Sequence, residues 1–339
     1  MHIGLFMFYP RALWIGGGGE TLIRRIREYI PRAGHTADYF NQWEPQKDFD
    51  LLHIIACNAE VLEFASIARE RGMKVILSPF EYRPWGRVRL SVTRTLCHLL
   101  PTESNQVKRS RVLPQMNRIT ANSPAMKTYL VRYYGIESDR CDVVPRGVDR
   151  MFFEAKPDAF WDRFGLKDFV LCAGRISRRK NQLRILQSLA RAGLSVVFIG
   201  GAEPMEGTYI KAFTEELRRH PRALWIEELA HNDTLLASAY AACRVHIQAS
   251  VGFPEYPGLA NVEAAAAGAR IVSTRNPVTA YYLGAEAEYC NANSESDMRR
   301  VVLRAMEKDS TSALQEHVRQ FHWDQVTQQI AQSYERALG

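Results

Sequence analysis

The sequence contains no apolar run long enough to span a bilayer. Its longest runs, such as Leu51–Cys57 and Leu194–Gly200, are strand-length, against roughly 18–20 residues for a transmembrane helix. The six cysteines are far apart, with no C-x-x-C pair and no histidine at a zinc-ligand spacing, so reduced thiols, mostly in the core, are expected. His2, His53, His98 and His231 are scattered, and no H-E-x-x-H is present, so no metal site is expected. The first nine residues go directly into a strand pattern without a basic leader or cleavage site, so a cytoplasmic protein is expected.

What is present is an ordinary globular composition, 46% hydrophobic and 24% charged over 339 residues. That length exceeds what one core usually supports, so two domains are expected. The formal charge of +7 is lopsided. Residues 1–150 hold 22 Lys and Arg against 15 Asp and Glu, and the remainder holds 22 of each. The excess is densest along Arg83, Arg87, Arg89, Arg94, Lys108, Arg109, Arg111 and Arg118. Anionic lipid, a diphosphate-linked acceptor or nucleic acid would each suit such a field. Nucleic acid is the least expected, because no recognition motif and few aromatics interleave that stretch.

Strands and helices alternate along the chain. The pattern predicts strands at residues 1–9, 37–40, 50–56, 74–80, 118–122 and 142–145, and helices at 20–32, 59–71 and 125–134. Ser123-Pro124 reads as an N-cap followed by proline at the first helical position. The alternation resumes at Phe169 and predicts strands at 195–200, 223–227, 245–248 and 270–273. The expected fold class is therefore α/β, with two Rossmann-like doubly wound domains facing a central cleft. The expected divisions are 1–149, 150–310 and a helical segment 311–339. Val326, Ile330, Tyr334 and Leu338 form the apolar face of its last helix.

Three clusters carry chemistry. Glu255-Tyr-Pro-Gly-Leu-Ala-Asn-Val-Glu263 places two carboxylates around a helix starting near Leu259, followed by Ala264–Ala267 and Gly268. The helix N-terminus at Gly258 and Leu259 offers free N–H groups and a positive dipole to a diphosphate. Arg175 ends a strand, and Lys180, five residues on, is expected in the first turn of the next helix, a cation pair suited to charge developing on phosphate. Arg178 and Arg179 are expected to be solvated. Gly16-Gly17-Gly18-Gly19-Glu20 opens the first helix, where Gly17 and Gly18 let backbone approach an anion. Trp14 beside it suits stacking on a sugar face and packing in the core equally well.

On these residues the chain resembles the family-four glycosyltransferases, whose hallmark is Glu-x7-Glu before a small-residue helix. The resemblance covers nearly the whole chain, down to Phe321-His322-Trp323 near its end. It implies a retaining, metal-independent hexosyltransferase acting on a UDP- or GDP-linked sugar. It assigns Glu255 to the donor sugar, Glu263 to the nucleotide ribose, and Arg175 and Lys180 to the diphosphate. Gly200 is implied near the base or sugar and Glu227 near the nucleobase. The nucleotide-sugar donor is a co-substrate, so no separate cofactor is implied. A glycan or lipid-linked acceptor is implied, as in polysaccharide or lipopolysaccharide synthesis, with peripheral contact to an anionic membrane at its inner face. The sequence departs from the family at Tyr256-Pro257-Gly258, where proline removes one N–H, and at Ser78–Glu81, where an expected histidine has no clear counterpart. A sugar-nucleotide sensor without turnover and a nucleic-acid-binding protein are the rival readings.

Overall fold

The computed structural model describes residues 1–8, 17–41, 43–44, 48–80, 82, 88, 91–92, 95–96, 99, 105–227, 229–230, 233–252, 255–308 and 312–339. Trp14, Gly16, Glu81, Arg83, Arg87, Arg89, Arg94, Cys97, His98 and His231 lie outside them. The chain forms two compact units, Met1–Gly147 with Trp323–Gly339, and Val148–His322. The last segment thus joins the first unit from Trp323, and the short helix Ala313–Val318 stays with the second, against an expected division at 311.

The first unit is built on a sheet of β1 (His2–Met7), β2 (Thr36–Tyr39), β3 (Leu51–Ile55), β4 (Val75–Ser78), β5 (Arg118–Ala121) and β6 (Cys141–Val143). Every pairing is parallel, and the order is β2-β1-β3-β4-β5-β6. The inner strands β3, β4 and β5 are buried along their whole length, as helices on both faces require. Ser123 caps the helix Pro124–Tyr134 by accepting from the Met126 N–H at 3.2 Å, and Gly135 ends it in a left-handed conformation.

The terminal helix Trp323–Leu338 docks in this unit by packing and by buried polar contacts. Trp323 stacks on Tyr29 at 5.5 Å between ring centroids and covers Gly147 so closely that any side chain there would overlap the indole. Val326, Ile330 and Tyr334 are buried, whereas Leu338 is 38% exposed, because the helix runs off the end of the surface it covers. The His53 ring shares 2.7 Å hydrogen bonds with the Tyr334 hydroxyl and with Ser78 Oγ. Asp142 accepts from Arg118, from Ser333 at 2.7 Å and from Arg336 at 2.5 Å, so its buried charge is fully paired.

The second unit holds β7 (Val170–Ala173), β8 (Val196–Ile199), β9 (Ala223–Ile226), β10 (Val245–Gln248), β11 (Arg270–Ser273) and the two-residue β12 (Glu288–Tyr289). All pair in parallel in the order β12-β11-β10-β7-β8-β9. Strand order reverses between β7 and β10. In open sheets of this type, ligands bind beyond the carboxyl ends of the strands at such a switch point. The residues following β7 and β10 in this unit are Gly174–Asn181 and Ala249–Gly258.

Candidate active site

Glu255 is the centre of the site. It follows β10 in the loop ahead of the helix Leu259–Ala266, and its side chain is 7% exposed. Lys180 Nζ lies 3.0 Å from Glu255 Oε1, Arg179 Nη1 lies 2.6 Å from it, and Ser250 Oγ donates to it at 2.5 Å. Burial would push this carboxyl up, but Lys180, Arg179 and Ser250 outweigh burial and hold it down at about 2. Glu255 is therefore ionised at neutral pH and can only accept hydrogen bonds.

The structure corrects two readings of the cation cluster. Lys180 stands in the turn before the helix Gln182–Ala190, not in its first turn. The cause is Asn181, which is left-handed at φ 65° while its amide donates to the carbonyls of Ala249 at 3.1 Å and Ala292 at 2.9 Å. Arg179, expected to be solvated, is aimed at Glu255. Its neighbour Arg178 turns elsewhere, with its N–H on Glu206 and its guanidinium 5.7 Å from the centre of the Tyr209 ring.

Arg175 pairs with Glu203 at 3.4 Å, a partner that sequence reasoning missed. Gly174 sits at φ +136° with the Lys180 stem alongside. Gly200, after β8, sits at φ +142°, and a Cβ there would stand 2.5 Å from the Gly174 carbonyl oxygen. Only glycine combines that backbone conformation with so close a crossing of the two strand ends. Glu227 is exposed at the end of β9, and its carbonyl faces Gly201.

On the helix side, Gly258 is left-handed at φ +78° and directly precedes Leu259. A side chain at Gly258 would overlap the amide of Gln248, which is 1% exposed. Glu263 is also buried, at 5% exposure, and the Tyr240 hydroxyl donates to it at 3.2 Å. Burial, then the charge of Glu263, keeps Tyr240 protonated. Gly17 precedes and Gly18 opens the helix Gly18–Tyr29, which belongs to the first unit.

His246 also escaped sequence reasoning. Its Nε2 accepts from the Ala173 N–H at 3.3 Å, so Nδ1 carries the proton and donates to Asn261 Oδ1 at 3.0 Å. Asn261 in turn donates to Ser273 Oγ at 3.1 Å, joining β7, β10, β11 and the helix Leu259–Ala266. Burial lowers the imidazole to about 3, assisted by the charge of Lys180 and opposed by the Asn261 bond. The available signal was period-two polarity, His246 and Gln248, inside an apolar strand.

The profile of Glycosyltransferase Family 4 matches residues 41–151. A D-inositol 3-phosphate glycosyltransferase of Paenarthrobacter aurescens is 27% identical over 187 residues, 48% of this chain and 42% of that protein, so the match spans less than half of the curated relative. Among solved structures, the Anabaena protein HepE in complex with UDP and glucose matches over 98% of this chain and 99% of its own, at TM-score 0.73 and 16% identity. A sucrose-phosphate synthase from Thermosynechococcus elongatus matches over 98% of each chain, at TM-score 0.77 and 15% identity. At these identities the structural likeness establishes the two-domain α/β fold.

Proposed function

We propose that this chain, which resembles the family-four glycosyltransferases over residues 41–151 and shares the two-domain GT-B fold of glycosyltransferase structures, transfers a hexose from a nucleotide diphosphate sugar to an acceptor hydroxyl with retention and without a metal. The observation that carries this reading is the convergence of Lys180 and Arg179 on the buried, ionised Glu255 at the switch point of the second unit. Lys180 and Arg175 face the diphosphate and stabilise the charge that develops as the sugar departs. Glu255, held as an acceptor, takes hydrogen bonds from sugar hydroxyls. Glu263 takes those of the ribose, with Tyr240 fixing its rotamer. The backbone N–H groups at Gly258 and Leu259 meet a phosphate oxygen. Gly200 and Glu227, at the ends of β8 and β9, border the base. In the first unit Gly17 and Gly18 offer backbone N–H groups to the acceptor. The leaving phosphate takes the acceptor proton in a front-face attack, as the family resemblance implies. A UDP-linked donor is supported by the UDP and UDP-glucose complexes of the Anabaena relative.

Thermal melts with UDP, UDP-glucose, GDP and GDP-mannose in the absence of divalent metal test this. One nucleotide is expected to raise the melting temperature of the wild type by linkage, and Lys180→Ala and Glu263→Ala are expected to abolish the shift. Equal responses from all three proteins would remove the site assignment.

We also propose that the acceptor is a glycan or lipid-linked sugar met at an anionic membrane, as in polysaccharide or lipopolysaccharide assembly at the inner face of the cytoplasmic membrane. No described helix is long and apolar enough to cross a membrane. Support comes from helical residues of the basic segment that present apolar side chains outward. Val88 is 79% exposed, Val92 53%, Leu96 49% and Leu99 74%, at a spacing that keeps them on one helical face. In co-sedimentation with vesicles, phosphatidylglycerol is expected to retain the protein at low salt and phosphatidylcholine is not. Val92→Glu with Leu96→Glu is expected to release it, by roughly tenfold in partition. Equal partition of variant and wild type would remove the membrane role of this face.

A further inference from the structure

The closest approaches of Arg179, Lys180 and Ser250 to Glu255 all go to the same oxygen, Oε1. One carboxylate balances one of the two cations, so the cluster carries a surplus positive charge. The cations are not equivalent. Lys180 is 15% exposed and reaches inward along Gly174 on a flexible stem, whereas Arg179 is 43% exposed and lies on Glu255 from the outer side. From this geometry we infer that Arg179 is a positioning residue: it keeps Glu255 in place and ionised when Lys180 turns from the carboxylate to the donor's diphosphate. The inference rests on the donor-site reading above.

The physical need is specific. A buried carboxylate is held ionised only by its partners. If Lys180 leaves to bind phosphate and no second cation remains, Glu255 keeps Ser250 alone, takes up a proton and ceases to be a pure acceptor for sugar hydroxyls. Arginine suits the permanent position because its guanidinium stays charged at every relevant pH, and lysine suits the mobile one because its ammonium is a compact point charge on a flexible chain. The other titratable groups around the cluster do not take over. Burial pushes the Cys172 thiol up to about 12 and the His246 imidazole down to about 3, so both stay neutral. Arg175 is engaged with Glu203.

The experiment is a carbon-13 titration of the Glu255 carboxyl from pH 7 to pH 3 in the full-length protein, with and without inorganic pyrophosphate. Wild type, Arg179→Gln and Arg179→Lys are compared, and Glu255→Gln assigns the resonance. Wild-type Glu255 is expected to stay ionised across the range in both conditions. Arg179→Gln is expected to bring its midpoint into the range when pyrophosphate is added, a rise of about one unit or more, and Arg179→Lys is expected to restore the wild-type behaviour. If pyrophosphate perturbs the Lys180 side-chain resonances but the Arg179→Gln midpoint tracks the wild type, the handover is wrong and the donor site stands. If pyrophosphate leaves Lys180 unperturbed in the wild type, the donor-site reading itself falls and the handover falls with it.

Discussion

Replacing Lys180 by alanine is expected to lower kcat for sugar transfer by roughly 10²- to 10³-fold, the usual loss when one preorganised donor to a developing negative charge is removed. The fold should survive, because Glu255 keeps Arg179 and Ser250 and is not left as an unpaired buried charge. Glu255→Ala should weaken the fold as well. It removes the acceptor for the sugar and leaves Arg179 and Lys180 repelling each other in the same turn, so both donor binding and melting temperature are expected to fall. Steady-state kinetics with the donor identified by thermal shift, alongside melts of both variants, separates the two. A Lys180→Ala enzyme with kcat within threefold of the wild type would take Lys180 out of the transition state.

The second large effect is on stability against pH. His53 in the first unit and His246 in the second are fully buried in hydrogen-bonded networks, and burial lowers both to about 3 from an ordinary 6.5. Below 6.5 the unfolded chain binds protons at these positions that the folded protein refuses, so stability is complete above about 6.5 and is lost as pH falls toward 3. Between pH 7 and pH 5 each histidine is expected to remove about 2 kcal/mol of unfolding free energy. Glu255 acts in the same direction in a lower window. Its folded value of about 2 lies below the ordinary 4.5, so its contribution is present above 4.5 and lost on acidification toward 2. Urea unfolding at pH 7, 6 and 5 should show a steady decline. His246→Gln should flatten the pH dependence of the second unit while costing stability at pH 7, since the bonds to Ala173 and Asn261 are not both replaced. A wild type whose stability is level from pH 7 to pH 5 would show that these imidazoles are not held neutral.

Much of this protein can be read along the chain because it is written in local terms. Apolar strands alternating with amphipathic helices announce two parallel sheets, and Ser123-Pro124 and Gly135 mark helix ends by chemistry that acts within a few residues. The two-residue strand β12 left no such trace, being too short to show a period. The clusters at Arg175–Lys180 and Glu255–Glu263 were visible as residue types following strands, which is where a parallel sheet presents its loops.

Their partnerships were not visible. Three consecutive cations, Arg178, Arg179 and Lys180, are indistinguishable in sequence, and the left-handed turn at Asn181 decides that two face Glu255 while Arg178 turns to Glu206 and Tyr209. Leu338 continues the apolar pattern of its helix yet lies beyond the surface that buries Val326, Ile330 and Tyr334. By itself the sequence determined which elements form, in what order, and which loops carry charge, since hydrophobic period and capping are properties of neighbours along the chain. Only the tertiary structure decided which charge meets which, because a pairing across 75 residues, such as Lys180 with Glu255, depends on how loops from two non-consecutive strands close over the same end of the sheet.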